Sequence, residues 1–221
     1  MSARRKNNAC FLQRRFVRSL VLPVFEKTIY LFTEGATESQ YIIDLASDTN
    51  VKIIAQGMIS SPKQLAEKAK EFVAANKERF ADGSKNSVWI VFDDDEKNTK
   101  IAEFRDAMRG GRYIKVAYMK PCIELWGVMC VKGNVSGLAL THRKIESALK
   151  KLMPGYDHSG HPYFDTKKMV HTDAACQIAA QWDRTYPTFE SRMNASYFAG
   201  IHTIVEDILK APKRHRKLRN A

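Results

Sequence analysis

Two sets of carboxylates stand where short apolar runs stop. Glu34 follows the run 28–33, and Asp93, Asp94, Asp95 and Glu96 follow the run 87–92. Carboxylates gathered in this way repel one another unless a cation sits among them. The chemistry they offer is oxygen ligation of Mg²⁺ or Mn²⁺, ions that take oxygen donors in octahedral geometry and keep several waters. With the backbone extended one step past Phe92, Asp93 and Asp95 project to one side and Asp94 to the other, because side chains on a strand alternate with period two. The acidic cluster by itself could equally be a solvated loop ahead of a helix, where Asp and Glu suit the positive helix end. A further carboxylate, Glu34, at the end of a different strand favours the metal.

The surrounding pattern must supply strands that end together. Between Lys27 and Met119 short β-rich runs alternate with longer helical stretches, as in a parallel sheet with crossover helices. Strands are expected over 28–33, 51–55, 87–92 and 113–119. The helices between them run from about Thr37, it or a neighbouring residue being the candidate cap, to Asp48, from Ser61-Pro62 to Phe80, and from about Thr99 to Met108. The run 87–92 is apolar almost throughout, as befits a central strand buried on both faces. In such a doubly wound sheet, ligands bind beyond the carboxyl ends of the strands, where Glu34 and the 93–96 cluster fall. After Pro121 the pattern is helical, near 122–131, 141–152, 173–184 and 195–210. In the last of these, Phe198, Ile201, Val205, Ile208 and Leu209 make an apolar stripe.

Three strings, in order and spacing, resemble the RloB-like family of Toprim-fold proteins. They are Thr33-Glu34-Gly35-Ala36-Thr37-Glu38 with Tyr41, then Phe92-Asp93-Asp94-Asp95-Glu96, then Pro121-Cys122-Ile123-Glu124-Leu125-Trp126. The resemblance covers about residues 25–130 and, more loosely, 194–209. It implies a Toprim-like, Rossmann-like α/β domain, the divalent-metal fold of topoisomerases, primases and OLD-type nucleases. On it, Glu34 takes the part of a metal ligand or general acid/base, and Asp93 and Asp95 are the metal-binding aspartates. Glu38 and Glu124 belong to the same motifs and join the candidate catalytic set. Proteins of this type look like effector nucleases of bacterial antiphage systems, often paired with an ATPase. The pattern departs at Cys130, which stands where the family leads one to expect His.

The charge is distributed in a particular way. Lys and Arg number 36 against 24 Asp and Glu, a formal charge of +12. Residues 1–18 hold Arg4, Arg5, Lys6, Arg14, Arg15 and Arg18, and residues 210–221 hold Lys210, Lys213, Arg214, Arg216, Lys217 and Arg219, with no acid in either stretch. These two ends account for the whole excess, so the body is neutral on average. The expected organisation is a basic segment 1–24, a Toprim-like domain 25–130, a helical part 131–210 packed on it, and a basic tail 211–221. The tails are the expected contacts to RNA, tRNA or DNA, with an acidic protein surface as the alternative.

Other classes find little support. The apolar run 20–25 is far shorter than the roughly 20 residues a membrane helix needs, so a cytoplasmic protein without membrane association is expected. The cysteines Cys10, Cys122, Cys130 and Cys176 lie far apart without a C-x-x-C pair, which fits reduced, buried thiols. His158, His161 and His171 sit in or near one loop, without the rigid spacing of a zinc site. Tyr41, Trp89, Tyr113, Trp126 and Trp182 read as core rather than stacking platforms. No Walker A, G-x-S-x-G or H-E-x-x-H string occurs. The functional reading is a metal-dependent endonuclease acting as a toxic effector, with a homodimer compatible with it. The alternatives are a receiver-like domain with Asp93 as phosphoacceptor and Lys120 as its lysine, and a Toprim module that binds nucleic acid without cleaving it.

Overall fold

The computed structural model describes residues 25–59, 61–81, 83–94, 99–108, 111, 113–138, 141–157 and 163–213. Its centre is a five-stranded sheet in the order β2-β1-β3-β4-β5. The strands are β1 (Lys27–Thr33), β2 (Val51–Met58), β3 (Ser87–Asp93), β4 (Ile114–Lys120) and β5 (Phe198–Ala199). The first four are parallel and β5 runs antiparallel to β4. The expected α/β class, a mostly parallel Rossmann-like sheet flanked by helices, is therefore what the chain forms.

Alternation along the strands sorts the side chains into two cores. Ile29, Leu31, Trp89, Val91, Ala117 and Met119 face one side. There they meet α1 (Ala36–Ala46), α4 (Ile123–Lys132), α5 (His142–Leu152), α6 (Thr172–Thr185) and α8 (His202–Leu209). Tyr30, Phe32, Val88, Ile90, Phe92 and Tyr118 face the other, under α2 (Pro62–Ala75) and α3 (Thr99–Met108). β3 is buried from Ser87 to Phe92, as its unbroken apolar run requires.

Local chemistry sets several boundaries. Ser61 caps α2 by accepting from the Gln64 N–H, with Pro62 in the first turn. The helix stops at Ala75, short of the expected Phe80, because Asn76 leaves helical geometry and its amide bonds back to the Phe72 carbonyl at 2.9 Å. A 3-10 turn over Lys77–Phe80 then delivers Phe80 to the core. The cap position of α1 falls not on Thr37 but on its neighbour Gly35, with no side-chain cap hydrogen bond. α4 closes on Gly133, whose φ of 72° is the left-handed conformation that glycine adopts without penalty.

The C-terminal part departs most from expectation. The segment 195–210 is not one helix: α7 (Phe189–Asn194) ends before it, β5 pairs with the β4 edge, and only then does α8 begin. Gly200 permits the junction, since a Cβ there would lie 2.8 Å from the Tyr118 carbonyl oxygen. The apolar stripe is split as a result, with Ile201, Val205 and Ile208 on one side of the sheet, Phe198 on the other, and Leu209 45% exposed. Asp207 on α8 ties back to Lys27 at 2.8 Å and Lys115 at 3.5 Å. The Asn50 carbonyl accepts from the Glu26 N–H at 3.0 Å, and the Asn50 N–H donates to Pro212 at 2.9 Å. The described chain thus starts and stops beside the amino end of β2.

Candidate functional site

The strand order places the sheet's switch point between β1 and β3. α1 leads from β1 outward to β2, whereas α3 leads from β3 in the opposite direction to β4. The loops therefore diverge at the carboxyl ends of these two neighbours and leave a crevice, the usual ligand position in an open α/β sheet. Glu34 is the first residue beyond β1, its N–H donating to the Val91 carbonyl of β3 at 3.4 Å. Asp93 is the last residue of β3, in register with Met119 of β4. Both are half-buried.

The acidic run divides as the alternation of a strand predicts. Asp93 lies on the α4 side, where its charge helps to raise the Cys122 thiol pKa. Asp94 turns the other way and is buried, accepting from the Tyr118 hydroxyl at 2.8 Å. Burial, and then Asp94, push the Tyr118 pKa up. Asp95 lies outside the described residues.

Glu38 is buried in the first turn of α1, three residues beyond Gly35. A Cβ on Gly35 would meet Glu38 Oε2 at 2.6 Å. The carboxylate thus folds back over the helix N-terminus, where negative charge is favoured. Glycine at 35 leaves room for the Glu38 carboxylate, which would have to shift to admit a Cβ, and its φ of −118° is open to any residue.

Glu124 is completely buried in the first turn of α4. Its Oε1 accepts from the Tyr156 hydroxyl at 2.5 Å, and its Oε2 lies 4.0 Å from His142 Nε2. Cys122, immediately before α4, completes a group whose ligand atoms lie within 4.8 Å of one another. Burial first, and then the Glu124 carboxylate, raise the pKa of the Cys122 thiol and of the Tyr156 phenol, with a Thr37 hydrogen bond opposing the Tyr156 shift. Cys122 and Glu124 belong to one sequence string, but His142 and Tyr156 are brought to them by folding. Nothing local marks either: His142 opens α5 behind Thr141, and Tyr156 sits in a turn 32 residues from Glu124.

Several other sequence candidates are placed elsewhere. Cys130 is buried in the α4 core, its carbonyl accepting from the His171 N–H, and desolvation raises its thiol pKa. His171 packs on Gly133, while His158 and His161 lie outside the described residues. Lys120, one residue past Met119 and so on the sheet face opposite Asp93, gives its ammonium to the Met193 carbonyl. A receiver-like site would need that lysine at the aspartate. Tyr41, Trp89 and Trp126 are buried and Trp182 is partly so, but Tyr113 is 41% exposed and stacks on Phe80. Cys122, Cys130 and Cys176 are free and buried. Lys213 is exposed beside Thr49. Arg4, Arg5, Lys6, Arg14, Arg15, Arg214, Arg216 and Lys217 lie outside the described residues. Among those described, no helix is long and apolar enough to cross a membrane.

The donors at the switch point suit a hard divalent cation. Glu34 and Asp93 are half-buried carboxylates at the ends of adjacent strands, and oxygen donors are what such an ion takes. The profile of the RloB-like protein family matches residues 29–208, from within β1 to within α8. The chain belongs to the RloB-like family. Searches of curated proteins and of solved structures give no significant match.

Proposed function

We propose that this RloB-like protein is a metal-dependent endonuclease of Toprim type that cleaves RNA, including tRNA, or DNA. The observation that supports the reading is the position of Glu34 and Asp93 at the carboxyl ends of the adjacent strands β1 and β3, at the sheet's switch point, in a chain that matches the RloB-like family over residues 29–208. These two residues would hold Mg²⁺ or Mn²⁺, with Asp95 as the third carboxylate. A bound ion there supplies Lewis-acid polarisation of a phosphoryl oxygen and a water of lowered pKa. Glu34 acts as a ligand in preference to a general base, since a cation beside it opposes the raised pKa that a base needs. Glu38 keeps the first turn of α1 closed against Gly35, holding the β1–α1 loop that presents Glu34. Glu124 fixes the start of α4 behind Asp93 through Tyr156.

In its setting the enzyme is a cytoplasmic toxic effector of an antiphage, abortive-infection system, restrained or assembled by an ATPase partner. The deciding experiment is cleavage of duplex DNA, total RNA and tRNA with Mg²⁺ or Mn²⁺, comparing the wild type with Glu34→Ala and Asp93→Ala. The expected result is metal-dependent cleavage reduced at least about 100-fold in both variants, as for loss of a principal electrostatic group, with cellular toxicity lost in parallel. Cleavage that persists in both variants removes the site.

A further inference from the structure

The geometry points to a second metal site, for Zn²⁺ or a comparable borderline transition ion, formed by Cys122 Sγ, Glu124 Oε2 and His142 Nε2. This site shares Glu124 with the nuclease reading, but the metal binding proposed for it does not require cleavage activity, and it differs from the crevice in donor chemistry. Glu34 and Asp93 offer only oxygen, whereas this group offers one sulfur, one oxygen and one nitrogen, the mixture that selects zinc over magnesium.

Three observations carry it. The ligand atoms already converge within 4.8 Å of one another, and Glu124 Oε2 and His142 Nε2 are 4.0 Å apart. With Zn–S near 2.3 Å and Zn–N and Zn–O near 2.0–2.2 Å, tetrahedral ligands lie about 3.4–3.6 Å from one another. Closure therefore asks for a contraction of at most about 1.2–1.4 Å at the longest edge, within the reach of side-chain rotation.

The second observation is the depth of the carboxylate. Glu124 is completely buried, and a buried carboxylate is costly unless opposite charge or hydrogen bonds compensate it. Tyr156 meets one of its oxygens with a hydrogen bond and His142 stands 4.0 Å from the other, and a divalent ion among Cys122, Glu124 and His142 would add the full opposite charge. The third is the outer shell. The Tyr156 hydroxyl donates to Glu124 Oε1 at 2.5 Å and leaves Oε2 directed toward His142, the arrangement by which an outer partner orients a ligating carboxylate.

The donors come from the segment entering α4 and from the first residue of α5. Bound metal would thus pin these helices together behind Asp93, with His142, 32% exposed, on the solvent side. Cys122 ligates as the thiolate and releases its proton to solvent on binding. Three protein donors leave a fourth tetrahedral position for water.

The test uses the full chain stripped of metal and titrated with Co²⁺ as a spectroscopic stand-in for Zn²⁺. The expected result is one equivalent bound, with a thiolate-to-cobalt charge-transfer band in the near ultraviolet that Zn²⁺ bleaches and excess Mg²⁺ does not. Cys122→Ser should abolish the band, and His142→Gln should weaken affinity at least about 100-fold. Tyr156→Phe should weaken it about 10-fold, the scale of an outer-shell partner. Zn²⁺ at a hundred times its Kd should raise the wild-type Tm by about 5–10 °C, and the His142→Gln Tm far less. Because His142 is partly exposed, that variant is expected to fold, and a wild-type circular dichroism spectrum checks this. Absence of the charge-transfer band in the wild type, or its survival in Cys122→Ser, overturns the site.

Discussion

The Tyr118 hydroxyl donates to Asp94 Oδ2 at 2.8 Å on the face of the sheet away from Asp93. This bond assigns the middle residue of an acidic run to the fold and leaves its neighbour to the crevice. Tyr118→Phe removes the donor from a buried carboxylate. A hydrogen bond to a charged group contributes about 1.5–3 kcal/mol, so Tm should fall by about 4–10 °C. Metal-dependent cleavage at a temperature where the variant stays folded should remain within about threefold of wild type, and a larger loss would place Asp94 in the chemistry.

Gly35 and Glu38 form a second tight pair, since a methyl group at 35 would meet the carboxylate at 2.6 Å. Gly35→Ala should cost about 1–3 kcal/mol, as overpacking generally does. In a Glu38→Ala background the same substitution should cost less, with a coupling of about 0.5–3 kcal/mol by double-mutant cycle in urea. Additive effects would show that the carboxylate does not occupy that space.

Asp207 links β1 and β4 to α8 through Lys27 and Lys115. Burial alone would raise its pKa, but the two ammonium groups outweigh it and hold the pKa below the ordinary 3.8. A carboxyl whose pKa is depressed in the folded state stabilises that state above its unfolded pKa, and this is lost as pH falls through the folded value. The Tm gap between wild type and Asp207→Asn should therefore be constant above about pH 5 and narrow below about pH 4. Thermal unfolding between pH 2 and 7 measures it, and a gap independent of pH would assign the effect of the substitution to packing.

The basic ends give an ionic-strength prediction. Residues 214–221 carry Arg214, Arg216, Lys217 and Arg219. If all four contact duplex phosphates, deleting this stretch should flatten the slope of log K against log salt by about 3–4, at about 0.9 per phosphate. Binding titrations at several salt concentrations test this, and an unchanged slope would direct the tail to a protein partner.

The parts of the fold that were legible in the sequence are those written in consecutive residues. The apolar run into Asp93 predicts a central strand, and its abrupt end places Glu34 and Asp93 at the same edge of the sheet. Asn76 breaks α2 through a side-chain bond to Phe72 that competes with the helix, which apolar periodicity does not register. β5 is two residues long and exists because Gly200 lets the chain approach Tyr118, a contact between distant segments. The group around Glu124 was half-visible for the same reason: Cys122 is two residues away in sequence, but His142 and Tyr156 arrive only when α5 and the turn after it pack on α4.

Asn50 holds Glu26 and Pro212 at the amino end of the sheet, whereas Glu34 lies beyond its carboxyl end. The seven residues of β1, at about 3.3 Å each, put some 20 Å between them. The segments bearing the twelve surplus positive charges are thus rooted at the pole opposite the carboxylates. Among the described residues, the points where those segments join the body and the carboxylates of the crevice lie at opposite ends of the strands. If the basic segments do hold a polyanion, the reach each needs to bring it to Glu34 and Asp93 is at least the length of β1, which sets a minimum on the segment length that shortening variants can probe.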